Sequence, residues 1–399
     1  MKYNFDEVID RSGNRAAKYD ERRKNFGTDD VIPLWIADMD FRTAQPIIDA
    51  CKAKAEEGIW GYTSRPDSYF EAYASWQKRR NGWSIDTSLC SWSLGVVPAL
   101  AALIKLFTGP NDKVLIQPPV YPEFYEVTEM VGRRVAENNM VQTENGWEVD
   151  FEDFERKAKD PLVKMFILCS PHNPLGKVWA REELERMLDI CFANGVLVVS
   201  DEIHSDLIFH GKKHIPTAMV SEEAKSRVIS CISGTKTFNL AGLQASTTVF
   251  PNMELKQIFD HYWSAMDIHR NNAFSSVAME AAFNEGEEWL EQVLEYISGN
   301  FDYIQDYCAK YIPEIKPSVP DATYLVWLDC RALGMDDETL KEFMIRKAKL
   351  GMNPGSSFTR SLTGFMRLNA ACPRPVIKKA MEQLRDAVSD LRGSKPCMS

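Results

Sequence analysis

The sequence lacks the features that would direct the protein to a membrane, a secretory route or a nucleic acid. No apolar run approaches the roughly 18 residues that are needed to span a bilayer. The opening stretch, MKYNFDEVID, has no apolar segment of the kind a secretory signal carries. The 47 Lys and Arg residues are outnumbered by 57 Asp and Glu residues, which gives a net charge of −10, and no basic run occurs. We therefore expect no membrane and no nucleic-acid partner.

The cysteines and histidines do not form the patterns of a disulfide framework or a metal site. The nine cysteines are scattered and odd in number, and no CxxC pair occurs. This usage favours a reducing cytoplasm. Only His210 and His214 stand four residues apart, on either side of Gly-Lys-Lys. We expect a solvated loop there and no bound metal.

From about residue 90 the chain alternates apolar runs with helical patterns. Strands are predicted for five runs, at 113–117, 164–169, 195–200, 227–233 and 245–250. Arg181–Ala193 has helical spacing between two of them. The runs are largely apolar and do not alternate, as in strands that are covered on both faces, so a mostly parallel sheet between helix layers is expected. Ligands of such folds collect beyond the carboxyl ends of the strands.

The second half of the chain has a different pattern. Glu287–Tyr311 is predicted to be one long amphipathic helix, and Thr323–Leu328 a strand. Helices are predicted at 338–350 and 375–391. This pattern is typical of a smaller α+β unit, against which the N-terminal segment is expected to pack. The predicted large domain is 48–290, and the predicted small domain combines 1–47 with 291–399.

Two ionisable residues directly follow predicted strands. Lys236 lies in Ser233-Gly-Thr-Lys236, among hydroxyl groups that could bind a phosphate. A lysine with a lowered pKa can form a Schiff base with an aldehyde, although a surface lysine on a loop has the same sequence appearance. Asp201 ends the run GVLVVS, where a buried carboxylate needs a cation such as a protonated pyridine nitrogen. A helix cap or a structural salt bridge would also explain it.

Four further positions are candidates for ligand contacts. Asn173 follows a strand and could donate to a ring oxygen, or form a bare turn. Gly95 opens a helix whose free N–H groups would suit a phosphate. Arg367 lies between apolar neighbours, where it could bind a carboxylate with two hydrogen bonds or form an ion pair. Tyr121 could stack on a flat ring or belong to the core.

Taken together, these residues resemble the pyridoxal phosphate enzymes of aminotransferase fold type I, in their order and spacing along essentially the whole chain. The resemblance implies an α/β protein with a mostly parallel sheet in its large domain and a smaller α+β domain. It also implies pyridoxal 5′-phosphate as the cofactor and a homodimer with shared active sites.

The resemblance implies a role for each matching residue. Lys236 would hold the cofactor and move the Cα proton, Asp201 would keep the ring nitrogen protonated, and Asn173 would bind the ring oxygen. Tyr121 would stack on the ring, and His204 stands where many aminotransferases carry a tyrosine that bonds that oxygen.

The remaining implied roles concern the phosphate and the substrate. The phosphate would be held by the residues Gly95, Val96, Val97, Ser233 and Thr235. Tyr62 would reach the phosphate of the neighbouring subunit. Arg367 would bind the substrate's α-carboxylate, with Ala37 and Asn173 beside it.

Several stretches are similar to one branch, the MalY/PatB-type cystathionine β-lyases. These stretches are Leu34–Phe41, Pro119–Phe124, Asp201–Asp206, Lys236–Asn239 and Arg367–Pro373. The sequence departs from many relatives at Gln244, where they carry an arginine that bonds the phosphate, and at Thr359, where they often carry glycine.

The branch implies α,β-elimination from L-cystathionine or another cysteine S-conjugate, which yields a thiol, pyruvate and ammonia. An aminotransferase on the same scaffold is the alternative, because its first steps are identical. Contact with a regulatory protein is a third hypothesis, drawn from one member of the family, and no surface motif here supports it.

Overall fold

The computed structural model describes residues 2–144 and 146–393. Its strands in chain order are β1 Ile32–Pro33, β2 Cys90–Ser93, β3 Lys113–Ile116, β4 Arg134–Glu137, β5 Val141–Thr143, β6 Gly146–Glu148, β7 Val163–Cys169, β8 Leu197–Asp201, β9 Ile229–Ile232, β10 Ser246–Val249, β11 Lys316–Pro317, β12 Leu325–Asp329, β13 Leu350–Gly351, β14 Asn353–Pro354 and β15 Phe365–Asn369.

The helices of the same residues range from single turns to seven turns. In chain order they are α1 Ala17–Asp20, α2 Arg22–Phe26, α3 Gln45–Glu56, α4 Asp67–Asn81, α5 Val96–Phe107, α6 Glu123–Met130, α7 Phe151–Ala158, α8 Arg181–Ala193, α9 Glu222–Arg227, α10 Gly234–Thr237, α11 Met253–Ala265, α12 Ala273–Glu285, α13 Glu287–Tyr311, α14 Asp337–Arg346 and α15 Arg374–Gly393. None of them is long and apolar enough to cross a membrane.

The central sheet has seven strands in the order β2-β10-β9-β8-β7-β3-β4. Only β10 runs antiparallel to its neighbours, so the predicted mostly parallel sheet is confirmed. Alternate residues of the strands enter two separate apolar clusters, one with α7 and α8 and the other with α5, α6 and α11. Each of the five predicted runs contains a strand, and both faces are covered, as the apolar runs indicated.

The strand register brings the candidate residues to one edge of this sheet. Cys169 of β7 pairs with Asp201 of β8, and Asp201 pairs with Cys231 of β9. The three strands therefore end level with one another. The segments that follow them carry Asn173, His204 and Lys236.

The second half forms an antiparallel sheet in the order β11-β12-β15-β14. Arg367 occupies the middle of β15, opposite Trp327 and Asn353. The N-terminal segment joins this half through β1, whose Ile32 pairs in parallel with Leu350 of β13. The seven-stranded sheet lies within 48–290 and the four-stranded sheet within 291–399. The exact domain division stays a prediction, because α13 crosses residue 290.

Two local expectations were wrong, one about the end of a helix and one about the burial of a histidine. The helix predicted to continue to Leu350 ends at Arg346, because Lys349 has φ +53 and Leu350 enters the strand pairing with β1. His214 is not in a solvated loop: it is buried, and its Nε2 lies 2.9 Å from Glu202 Oε2. His210 is exposed, as expected.

Candidate active site

A cavity of about 180 Å³ lies at the carboxyl ends of β7 and β8, between these ends and the start of α5. Ten of the thirteen positions that the sequence singled out line it, namely Ala37, Gly95, Val96, Val97, Tyr121, Asn173, Asp201, His204, Thr235 and Lys236. Ser233, Arg367 and Tyr62 are the three that do not. The sequence missed Leu94, Pro98, Cys169, Ile203, Ala241 and Ala245 as lining residues.

Lys236 is part of the cavity wall and not of a surface loop. It lies on the short helix α10, whose cap Ser233 accepts a hydrogen bond of 3.1 Å from the Thr235 N–H. Its Nζ donates to the Ala37 carbonyl at 2.6 Å. The pKa of the Lys236 amine is lowered, chiefly by burial, against the opposing influence of Asp38. A lowered pKa favours the neutral amine that nucleophilic or basic chemistry requires.

Asp201 is a buried carboxylate at the end of β8. One of its oxygens accepts a hydrogen bond of 3.1 Å from the Ile203 N–H. The described residues directly after β8 form a turn and no helix, so the helix cap that was an alternative for this residue is absent. No ion pair within the described ranges involves Asp201. Burial, and then the neighbouring Glu202, raise the pKa of Asp201 to about 7. A carboxyl group in this condition is stabilised by any ligand that brings a proton-bearing cationic nitrogen to it.

Arg367 is buried beside the cavity, next to Asn173. Its Nη1 donates to Asn173 Oδ1 at 3.3 Å, and Nη2 donates to the Trp35 carbonyl at 2.7 Å and to Asn353 Oδ1 at 2.8 Å. The guanidinium lies 4.7 Å from the centre of the Phe358 ring.

The guanidinium of Arg367 is not engaged by an acidic side chain. Its Nε is buried without a partner among the described residues, and the pKa is lowered to about 10 by burial. The ion pair that was an alternative for this residue is therefore absent from the described part of the chain. A buried guanidinium without a carboxylate suits an anionic ligand group.

The start of α5 presents free backbone N–H groups to the cavity. Gly95 is its N-cap, and no side chain caps the helix. A Cβ built on Gly95 would meet only Pro98 Cδ, at 3.5 Å, so the space in front of the helix is open. Thr235 lies across the cavity, and its Oγ1 is 2.8 Å from Ser233 Oγ. Together these groups form a site for an anion at a helix start.

Three predicted residues have surroundings that the sequence did not reveal. The Ser233 hydroxyl is occupied, since it donates to the Ala245 carbonyl at 2.7 Å. His204 is buried, its Nδ1 has no partner among the described residues, and burial lowers its pKa to about 3, so the ring is neutral. Tyr62 is 92% exposed, with its ring centre 5.5 Å from the Arg270 guanidinium. It does not reach the cavity of its own chain.

Three residues without an assigned role hold the segment that carries Ala37. Tyr324 donates from its hydroxyl to the Ala37 carbonyl at 2.9 Å. Asn369 donates to the Ile36 and Asp38 carbonyls, and Asn239 bonds the backbone of Met39 and Phe41. The two asparagines stand in stretches that resemble the family, which was the one available signal for them.

Comparisons with known proteins agree with this geometry. Residues 29–384 match the profile of the family described as "Aminotransferase class I and II". The cystathionine beta-lyase PatB of Bacillus subtilis is 39% identical over 386 residues, covering 97% of this chain and 100% of that protein. Protein MalY of Escherichia coli is 33% identical over 395 residues, with 98% and 100% covered. The crystal structure of cystalysin from Treponema denticola, which contains pyridoxal 5′-phosphate, superposes with a TM-score of 0.95 at 32% identity, over 98% of this chain and 100% of that one.

The residues at the cavity fit this cofactor. The unpaired Asp201 carboxyl would meet a protonated ring nitrogen, the open N-terminus of α5 would meet a phosphate, and the Lys236 amine would meet an aldehyde. Gln244, which also lines the cavity, is neutral, so the arginine of many relatives is absent there. The chain belongs to the aminotransferase class I and II family of pyridoxal phosphate-dependent enzymes, on the branch that includes PatB and MalY.

Proposed function

We propose that the protein is a carbon–sulfur β-lyase, which eliminates a thiol from L-cystathionine or another cysteine S-conjugate and yields pyruvate and ammonia. The relative PatB, which is named a cystathionine beta-lyase and is 39% identical, supports a C–S lyase of this branch. The observation that carries the chemistry is the Lys236 amine, with its lowered pKa, in one cavity with Asp201 and beside Arg367.

When bound, pyridoxal phosphate supplies an electron-accepting ring that stabilises negative charge at the substrate's Cα. Lys236 would be the covalent attachment point and, once released, the base that takes the Cα proton at Nζ. The Ala37 carbonyl, 2.6 Å from Nζ, orients that amine. A base of this kind works best when its pKa is close to the working pH, which burial favours here.

Arg367 would orient the substrate. Its guanidinium is fixed by the Trp35 carbonyl, by Asn353 and by Asn173, so it is held in one position before the substrate arrives. Two parallel hydrogen bonds to the α-carboxylate would then fix the direction of the Cα–H bond relative to Lys236.

The cofactor phosphate would be bound by the backbone N–H groups of Val96 and Val97 and by Thr235. Apart from His204, whose ring is neutral, Lys236 is the only basic residue among the cavity-lining residues that the structure describes, and the cofactor would consume it. Further donors would therefore come from outside the chain. We propose a homodimer in which the partner subunit's Tyr62 supplies one, a role for which the high exposure of Tyr62, Trp60 and Ile59 gives support.

The eight cysteines of the described residues are all free thiols, seven of them buried. Free thiols in this number favour a reducing compartment, and we propose the cytoplasm as the place of action.

The alternative function is transamination, which is supported by the family's description as class I and II aminotransferases. In that reaction Lys236 returns the proton to the cofactor, and no group leaves from Cβ. The two reactions differ in their requirement for a keto acid.

The deciding experiment supplies purified holoenzyme with L-cystathionine and no keto acid, and measures pyruvate. Continuous release of pyruvate supports the lyase. Absence of pyruvate, together with amino-group transfer when a keto acid is added, refutes it. Lys236→Ala is the control and is expected to lose pyruvate release together with the absorbance of the covalently held cofactor.

A further inference from the structure

Three carboxylates lie close enough to Lys236 to oppose the lowering of its pKa, those of Asp38, Glu123 and Asp201. Asp38 is already neutralised, because its oxygens lie 2.9 Å from Arg11 Nη2 and 3.3 Å from Lys18 Nζ. Asp201 is assigned to the ring nitrogen of the cofactor. Glu123 is the remaining carboxylate, and the mechanism proposed above does not use it.

Glu123 does not line the cavity itself but lies behind its wall, near enough to Lys236 and Arg367 to interact with both charges. It is the first residue of α6 and stands two positions after Tyr121, which lines the cavity. The preceding Val120 N–H donates to the Phe358 carbonyl at 2.8 Å, and the Phe358 ring packs against the Arg367 guanidinium. The segment from Val120 to Glu123 therefore connects Tyr121 of the cavity wall, through Phe358, to Arg367.

The carboxylate of Glu123 is only partly satisfied: hydrogen bonds with its own backbone N–H and with the Tyr121 hydroxyl favour the charged form, in opposition to burial. Its Oε2 is buried, and no atom of the described residues forms a hydrogen bond with it. The pKa of Glu123 is raised, first by burial, and that of the Tyr121 hydroxyl is raised by burial and then by the Glu123 carboxylate. An acidic group held in this way is stabilised by a cation that enters with the substrate.

The charges of a cysteine S-conjugate leave one candidate for that cation. The α-carboxylate is taken by Arg367, and the α-amino group reacts at the cofactor's aldehyde. A second ammonium group exists only in conjugates whose sulfur substituent carries an amine, and the second amino acid of L-cystathionine is one such substituent. We propose, resting on the function proposed above, that Glu123 is a specificity-determining residue that binds this second ammonium group, as in L-cystathionine.

This role predicts discrimination against simple thioethers. An S-alkyl cysteine would fill the same space and leave the buried Oε2 of Glu123 without a partner. A charge-assisted hydrogen bond of this kind changes affinity by about tenfold to a hundredfold.

The first experiment measures binding to the holoenzyme, from the absorbance change of the bound cofactor. The probes are L,L-2,7-diaminosuberate and L-2-aminosuberate, which have the same chain length and differ only in the second ammonium group. Neither carries sulfur, so neither can undergo elimination. The wild-type protein is expected to prefer the diamino probe by about tenfold or more.

Glu123→Gln should abolish that preference, and Glu126→Gln should retain it. Glu126 lies on the same helix, is exposed, and loses the same charge, so it is the matched control. Glu123→Asp keeps the charge, retains part of the preference, and replaces the Gln variant if that variant folds poorly. A wild-type protein without preference, or a Gln variant that keeps it, overturns the proposal.

The second experiment compares kcat/KM for L-cystathionine and S-propyl-L-cysteine. Glu123→Gln should lower the value for L-cystathionine about tenfold and leave that for S-propyl-L-cysteine within twofold. An equal loss for both substrates would assign Glu123 to the chemistry common to them and refute the specificity role. If neither substrate yields pyruvate even with wild-type protein, the lyase function fails, while the binding experiment still decides the role of Glu123.

Discussion

Asp201 should destabilise the cofactor-free protein in a way that depends on pH, and Asp201→Asn should remove that dependence. The folded protein holds the pKa of this carboxyl at about 7, against an ordinary value of 3.8. At about 1.36 kcal/mol per pKa unit, full ionisation of the folded protein costs about 4 kcal/mol. The folded state binds the proton more tightly than the unfolded state does, so stability falls as the pH rises from about 4 to about 7, and the loss is complete above that range.

The comparison of the two proteins isolates this one group. The penalty for Asp201 is about 1.7 kcal/mol at pH 5 and about 4 kcal/mol at pH 8. The advantage of Asp201→Asn over wild type should therefore grow by about 2–3 kcal/mol between these pH values. Urea unfolding of both cofactor-free proteins at both pH values measures it, because all other titrating groups are common to the two.

Addition of pyridoxal phosphate tests whether the Asp201 carboxylate interacts with the cofactor. If the Asp201 carboxylate meets the protonated ring nitrogen, the cofactor should stabilise wild type more than Asp201→Asn at pH 8. An advantage of the variant that is the same at pH 5 and pH 8 would refute the claim that the Asp201 carboxyl is unpaired and buried in the free protein.

Three other substitutions separate binding from folding. Gly95→Ala should weaken cofactor binding at least tenfold in an absorbance titration yet leave the unfolding free energy within about 0.5 kcal/mol, because only Pro98 lies near the new methyl group; a loss of stability instead would contradict the phosphate role. Gly176→Ala should do the reverse and lower the unfolding free energy by about 2–4 kcal/mol in urea, since φ is +65 and the methyl would stand 2.4 Å from Pro320 Cβ; an unchanged urea midpoint would disprove the clash. Arg367→Lys should raise KM for the elimination substrate about tenfold or more, as a single ammonium cannot form both hydrogen bonds, and an unchanged KM would exclude the carboxylate clamp.

The sequence predicted the fold best where strands are covered on both faces. The runs that became β7, β8 and β9 are largely apolar, and the polar candidates that follow them, Asn173, Asp201 and Lys236, stood out against them. Strands β2 and β4 were not predicted from the sequence, and the reasons differ. Both are edge strands of the central sheet, but β2 reads Cys-Ser-Trp-Ser and is entirely buried, whereas the first residue of β4, Arg134, is exposed. Neither composition indicates the position that the strand takes in the sheet.

Contacts between residues that are distant in the chain could not be predicted from local sequence patterns. His214 was expected in solvent, yet it meets Glu202 inside the protein. Glu123 stands in the stretch Pro119–Phe124 that resembles the family, but the burial of its Oε2 without a partner is visible only when its surroundings are known. Local sequence gives the residue type and its position in an element, and the tertiary fold supplies the partner that decides whether a charge is paired.

The segment from Leu34 to Phe41 shows why some functional positions leave little trace in side-chain chemistry. It contributes a backbone carbonyl, that of Ala37, and any residue type could provide one. What the sequence must encode is the position of that carbonyl, and it does so from elsewhere. The amides of Asn239 and Asn369 hold the neighbouring backbone groups.

The acidic residues of this segment anchor it to the N-terminal residues. Asp40 is buried, with its oxygens 2.9 Å from the fully buried Lys18 Nζ and 2.6 Å from Arg11 Nη1. The Asp40 and Asp38 carboxylates outweigh the effect of burial on Lys18 and raise its pKa, so the lysine stays charged. Two basic and two acidic side chains balance in this cluster, so removal of one would leave a buried charge uncompensated, a change that costs up to about 3–5 kcal/mol in other proteins. Because the segment that carries the Ala37 carbonyl is fixed by this cluster, the first forty residues belong to the active site as much as to the small domain.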